Sequence, residues 1–218
     1  MGFPSLEGLL LRLVIVLPAL LLAIVLHEVA HAYVAYLLGD DTAKRAGRLT
    51  LSPLPHLDPV GTLMMILSTI YGRGLGWAKP VPVNPLRFRH PRRDEILVSL
   101  AGVTMNALQA VAWAGLARLA FSSVTSGSLA EAAVVFCVSA TATNLVLMVF
   151  NLLPVPPLDG SHVLFNALNL RDPVLYYRFA QIGPMLLLLL LFTGLLGPVF
   201  DATVYPLLRL LLPAGMLY

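Results

Sequence analysis

The sequence predicts an all-α polytopic membrane protein with about four long transmembrane helices and two short re-entrant or interfacial segments. Three observations carry this. Of 218 residues, 58% are hydrophobic and only 11% are charged, and the mean hydropathy is +0.85, well above that of an ordinary soluble domain. Four apolar runs are long enough to cross a hydrocarbon core, for which ~20 helical residues suffice. The basic residues gather between those runs rather than within them.

The first run, Leu9 to Leu38, carries only Arg12, His27, Glu28 and His31 as basic or acidic groups. At about 1.5 Å rise per residue it makes a helix near ~45 Å long. That is too long for the apolar core of a signal peptide, and no small-residue cleavage site follows. The second run, Ile96 to Phe121, is introduced by HPRRDE, where Asp94 is expected as the N-cap after Pro91. SSVTSGS, 122–128, reads as a short polar turn, and the third run, Leu129 to Leu153, stops at a proline cluster. The fourth runs from Phe179 to Leu196, with Gly183 and Pro184 marking a kink. Gly61 to Tyr71 and Val199 to Leu212 are too short to span and form the two re-entrant or interfacial segments. With no internal repeat and no low-complexity linker, the expected organisation is a single membrane-embedded domain over residues 1–218. The lone Cys137 lies in an apolar run, which excludes a disulfide framework and reads as a small buried hydrophobe.

Orientation follows from the cations. Lys44, Arg45, Arg48, Arg73, Lys79, Arg87, Arg89, Arg92 and Arg93 lie between the first two spans, and Arg171 and Arg178 between the third and fourth. With four spans these segments share one face, and the positive-inside rule makes it cytoplasmic. The expected location is therefore a prokaryotic cell membrane, multi-pass, with the N-terminus outside and the basic loop 40–93 cytoplasmic. The net charge of +3 is accounted for by topology. The cations stand among Pro and Gly without interleaved aromatics, so no nucleic-acid partner is expected; the partner is the lipid bilayer.

Chemistry enters at HEVAH, within LLLAIVLHEVAHAYVAYLL, 20–38. His27 and His31 stand at i and i+4, one helical turn apart on one face, where two imidazoles can bind one metal ion. Glu28 is adjacent and within reach of water at that metal. Zinc suits imidazole ligands and lowers the pKa of water toward ~7, which yields a nucleophile inside lipid. A carboxylate there is pushed up by its apolar surroundings and down by a dication, so it can move a proton near neutral pH. Ionisable groups in hydrocarbon cost ~2.5 kcal/mol or more for a charged acidic side chain, which argues against accident.

A tetrahedral site needs a third protein ligand, and His56, Asp58, His90, Asp159 and His162 are the available residues. His90 stands among Arg and Pro in the basic loop and reads as solvated. Asp159 lies in NLLPVPPLDGSHVL directly after the third span, where prolines hold the chain extended before Gly160 permits a sharp turn. The first and third spans both end inside, so Asp159 comes to a depth similar to that of the histidines from the same side. His162 reads as a helix-start or interfacial histidine, and Asp58 and His162 stay open as alternatives.

At these residues the chain resembles the site-2 proteases, the intramembrane zinc metalloproteases. HEVAH in a first long apolar helix and FNLLPVPPLDG, 150–160, carry the resemblance. LSPLPHLDPVGTL (51–63), GWAKPVPVNP (76–85) and SLAGVTMN (99–106) extend it over about residues 20–165. The resemblance implies one Zn2+ per chain held by His27, His31 and Asp159, with Glu28 as general base. It also implies that Asn106, in a Gly-Pro-x-x-Asn pattern, positions substrate. Val103 stands where that pattern has proline. No insertion resembling a PDZ domain and no CBS pair is seen, so the expectation is the minimal form of the family.

The remaining segments have physical readings. Pro80 and Pro82 alternate with Val81 and Val83, which makes Ala78 to Asn84 extended and a possible strand for pairing with substrate, or else a stiff connector. PHLDPVGT gives His56 and Asp58 either a supporting role at the metal or a turn before the short apolar segment.

The function expected is that of an intramembrane zinc endopeptidase that cuts a transmembrane helix of a membrane-protein substrate near its cytoplasmic end. The alternative is an ion or proton transporter using the same His and Glu, which leaves the metalloprotease spacing unexplained. A histidine-box di-iron oxidase needs about eight histidines, and the chain has five.

Overall fold

The computed structural model describes residues 12–71, 76–122, 124, 129–170 and 172–216. Most of the polar turn 122–128, residues 72–75 with Arg73, and Arg171 lie outside the described residues. The longer helices are α1 (Leu17–Leu37), α2 (Pro59–Tyr71), α3 (Pro91–Phe121), α4 (Leu129–Asn151), α5 (Asp159–Ala167), α6 (Pro173–Phe192) and α7 (Gly197–Leu211). Among the described residues there is no strand, only an isolated antiparallel bridge between Leu57 and Ala78. Four helices are long and apolar enough to cross a membrane: Leu13–Leu37, Pro91–Phe121, Leu129–Asn151 and Val174–Phe192. The protein is an all-α, multi-pass integral membrane protein, as its composition predicts.

Small residues let three of these spans approach closely. On α1 the buried stripe is Ala19, Ala23, His27, Ala30, His31 and Ala35, a spacing of three or four residues that keeps one face inward. It meets α3, whose inward face includes Val98, Gly102, Asn106, Ala110 and Ala114. Helix α4 packs against both and buries Cys137 beside Ala114, Ala117 and Leu212. Helix α6 stays peripheral: 11% of its span is buried, against 33–39% for the other three. It presents Ile182, Met185, Leu189 and Phe192 outward, as a helix facing lipid does.

Boundaries depart from expectation where polar capping outweighs hydropathy. Helix α3 starts at Pro91, whose fixed φ suits the first helical position. Asp94 is therefore not the N-cap. His90 is, and the buried Asp94 reaches back one turn to accept its N–H at 3.0 Å. Helix α6 starts at Pro173, not at Phe179, because Asp172 caps it by accepting the N–H groups of Val174 and Leu175 at 2.8 and 3.3 Å. It ends at Phe192 rather than Leu196, in a turn where Gly194 adopts φ +75°, and it runs through Pro184 unbroken. Likewise α3 is continuous through Val103. Helix α5, for which the sequence sets no bounds beyond reading His162 as a helix-start or interfacial histidine, begins earlier, at Asp159.

Candidate metal centre

His27 and His31 project from adjacent turns of α1 toward α3 and α5. His31 Nδ1 lies 2.7 Å from the Val98 carbonyl, which can only accept, so Nδ1 carries a proton and, in the neutral ring that binds a metal, Nε2 keeps a lone pair. His27 Nδ1 lies 2.6 Å from Asn106 Oδ1, with the same consequence. The two Nε2 atoms then face each other at 2.9 Å, acceptor against acceptor. Asp159, the first residue of α5, brings Oδ2 to 3.3 Å from His27 Nε2 and 3.4 Å from His31 Nε2. That oxygen is buried and has no hydrogen-bond donor.

Three electron-pair donors thus converge on one point, an arrangement whose mutual repulsion a cation relieves. Bonds of ~2.0–2.1 Å in a tetrahedron place ligand atoms roughly 3.3–3.4 Å apart, close to both His–Asp separations. One ligand atom from each residue lies within 4.8 Å of the others, so this group can hold a metal ion. The donor set of two imidazoles and one carboxylate suits zinc.

Two glycines make the convergence possible. Gly102 on α3 lies against the imidazoles, where a Cβ would fall 2.5 Å from His27 Cε1 and 2.6 Å from His27 Nε2. Gly160, expected to permit a sharp turn, is instead helical. Its missing side chain lets the start of α5 press onto the backbone just past α4, since a Cβ would lie 2.5 Å from the Leu153 carbonyl oxygen. This close approach sets where Asp159 stands.

Glu28 lines a cavity of about 450 Å³ with His27, His31 and Asp159. Its Oε2 accepts the Val81 N–H at 2.8 Å. The segment carrying Val81 is not a regular strand: Pro80 and Pro82 remove alternate donors, and polar side chains hold it instead. Arg48 donates to the Pro80 carbonyl at 3.2 Å and to the Lys79 carbonyl at 2.5 Å. Lys79 N–H donates to the His56 carbonyl at 2.8 Å, and Asn84 N–H to Asp40 Oδ2 at 2.6 Å. Burial pushes the Asp40 carboxyl up, but hydrogen bonds from the Asn84 backbone and from Thr42 outweigh it and hold its pKa below the usual carboxylate value.

The other sequence candidates separate cleanly. His56 is buried and ties Thr50 to this segment, and Asp58 caps α2 by accepting the Gly61 N–H at 2.7 Å. His90 is exposed. His162 lines the cavity but pairs with Glu95 at 3.4 Å and with the Tyr176 hydroxyl at 3.0 Å. Asn106, for which the resemblance implies substrate positioning, is fully buried, and its Oδ1 lies 2.6 Å from His27 Nδ1. The sequence reading missed Gly102, the Val98 carbonyl, Arg48 and Asp40. Only SLAGVTMN, already singled out, signalled the first of these.

Comparison with known proteins places the chain. The profile of Peptidase family M50 matches residues 93–194. A protein of Bacillus subtilis named "Putative zinc metalloprotease YwhC" is 44% identical over 147 residues, which make up 66% of this chain and 65% of that protein. One of Mycolicibacterium smegmatis named "Putative zinc metalloprotease Rip2" is 30% identical over 192 residues, 88% of this chain and 72% of that protein. The chain thus spans slightly less than two thirds of the first relative's length. No solved structure matches it. With a matching family profile, these two relatives and a metal-competent His27–His31–Asp159 group, the chain belongs to Peptidase family M50, the site-2 protease family.

Proposed function

We propose that the chain forms a single membrane-embedded catalytic domain that cleaves a transmembrane helix of a membrane-protein substrate near its cytoplasmic end. The observation that carries this reading is the convergence of His27 Nε2, His31 Nε2 and Asp159 Oδ2 beside Glu28, in a cavity walled by membrane-spanning helices. In it, His27, His31 and Asp159 hold one Zn2+ per chain. Zinc bound there supplies Lewis-acid polarisation of the scissile carbonyl and lowers the pKa of attacking water.

The protein residues do the remainder. Glu28 takes the proton of the attacking water and returns it to the leaving amide nitrogen. The Val81 N–H on Glu28 Oε2 fixes the carboxylate, leaving Oε1 for that proton transfer. Val98 and Asn106 keep the histidine protons on Nδ1. The segment Ala78 to Asn84 borders the cavity and holds an unwound stretch of substrate. Unwinding is required because helical peptide carbonyls are already hydrogen-bonded, and leaving one unpaired in lipid costs several kcal/mol.

Orientation rests on the positive-inside rule, which makes the 40–93 segment cytoplasmic in a prokaryotic cell membrane. The deciding experiment compares membrane and soluble proteomes of cells carrying the native protein or Glu28→Gln. Fragments of membrane proteins released only with the native form identify the substrate. Identical fragment sets from both refute the protease reading.

A further inference from the structure

Asn144, on α4, is fully buried and stands outside the cavity lining, and the chemistry above gives it no task. A buried amide among membrane-spanning helices is costly unless its groups are paired, and its pairing here has a direction. Asn144 Nδ2 donates to the Ala140 carbonyl at 2.9 Å, which can only accept. That turns Asn144 Oδ1 toward α3, where Asn106 Nδ2 donates to it at 2.9 Å. Asn106 Nδ2 also points to the Ala23 carbonyl, 3.5 Å away. Asn106 is therefore oriented as well, and its Oδ1 is the atom left for His27 Nδ1 at 2.6 Å. An amide oxygen only accepts, so the proton of His27 sits on Nδ1 and the Nε2 lone pair faces His31 and Asp159.

We infer that Asn144 is a positioning residue for the metal centre, which through Asn106 sets the tautomer and ring orientation of His27. The inference rests on the reading of His27, His31 and Asp159 as zinc ligands. Without Asn144, Asn106 can rotate its amide and turn Nδ2 toward His27. A donor in that place favours the other tautomer and removes the Nε2 lone pair from the metal. Outer partners of ligating histidines typically contribute about 10- to 100-fold in metal affinity.

The test uses the full chain purified in detergent, with zinc affinity read by competition against a chromophoric chelator and site geometry by the absorption spectrum of bound Co2+. Asn144→Leu is expected to weaken zinc binding by about 10- to 100-fold and to alter the cobalt spectrum. Asn144→Asp keeps an oxygen that accepts from Asn106 Nδ2 and is expected to stay close to native on both readouts. In an Asn106→Leu background, Asn144→Leu is expected to add no further loss, because its effect travels only through Asn106. Should Asn144→Leu fail to fold, Asn144→Ala carries the same comparison. Native zinc affinity in Asn144→Leu, an undiminished further loss in the Asn106→Leu background, or failure of Asn144→Asp to restore binding would each overturn the inference. A native chain that binds no zinc, or whose affinity survives His31→Ala, overturns the metal reading beneath it instead.

Discussion

A single methyl group added at Gly102 tests the site through packing alone. The Cβ of Gly102→Ala would stand 2.5 Å from His27 Cε1 and 2.6 Å from His27 Nε2, where carbon contacts ordinarily settle at ~3.5–4.0 Å. The His27 ring must therefore retreat by roughly 1 Å, whereas zinc ligand distances tolerate about 0.2 Å. Overpacking of this kind costs ~1–3 kcal/mol, or roughly 5- to 150-fold in zinc affinity. Helix propensity runs the other way, since Ala is favoured over Gly by about 1 kcal/mol in a helix interior. In the metal-free protein the imidazoles can swing aside, so its thermal unfolding should occur no lower than in the native protein. Zinc content after purification, chelator competition and unfolding with and without zinc read the two effects separately. Gly115→Ala is the control: on the same helix, its methyl would meet nothing within 4 Å, and zinc binding should be unchanged. Native zinc affinity in Gly102→Ala would refute the claim that the imidazoles are seated against this glycine.

The remaining predictions address the ligands, the segment held by Asp40 and topology. Glu28→Gln should retain about one zinc per chain and lose cleavage, whereas His31→Ala and Asp159→Ala should lose zinc; full zinc in Asp159→Ala would reject it as a ligand. The pKa of Asp40 is depressed in the folded state, so its stabilisation is present above its unfolded pKa of ~3.9 and is lost as pH falls through the folded value. Asp40→Asn should therefore lower stability by ~1–2 kcal/mol at pH 7 and by less near pH 3; an equal difference at both would contradict the assignment. On a Cys137→Ala background, cysteines at Gly47 or Asn84 should react with an impermeant reagent only after permeabilisation, and one at Leu129 should react from outside. Labelling of position 47 in intact cells would invert the orientation.

Legibility in the sequence followed what a single element can encode. The four spans were readable because each needs only ~20 apolar residues in a row. Two starts were not, because Asp172 caps α6 at Pro173, ahead of the expected Phe179, and Pro91 overrides Asp94 as the start of α3. His27, Glu28 and His31 were readable for the same local reason: a spacing of i, i+1 and i+4 fixes their relative positions on any helix. Asp159 was approachable because the proline cluster fixes the end of α4. Gly160 was assigned the wrong task, since chain direction at a glycine can be guessed from sequence but a close approach to the backbone of Leu152 and Leu153 cannot.

What stayed hidden is everything that depends on which residue of one helix faces which residue of another. Gly102 and Val98 matter because α3 crosses α1 at the level of the histidines, and periodicity within α3 does not specify that level. The same holds for Asn106, whose amide is enclosed by α1 and α4. Val81 presents the sharpest case. Alternating proline predicts an extended segment, and the segment is indeed non-helical, yet Pro80 and Pro82 deprive it of the donors a regular strand would use. Its position is set by Asp40, Arg48 and the His56 carbonyl, groups that are polar because they must satisfy backbone atoms no neighbouring strand reaches. One donor remaining to that segment, the Val81 N–H, goes to Glu28. The anchors of the Ala78 to Asn84 segment and the proposed proton carrier are therefore coupled through a short stretch of backbone, and loosening Asp40 or Arg48 should be felt at Glu28 although neither touches it.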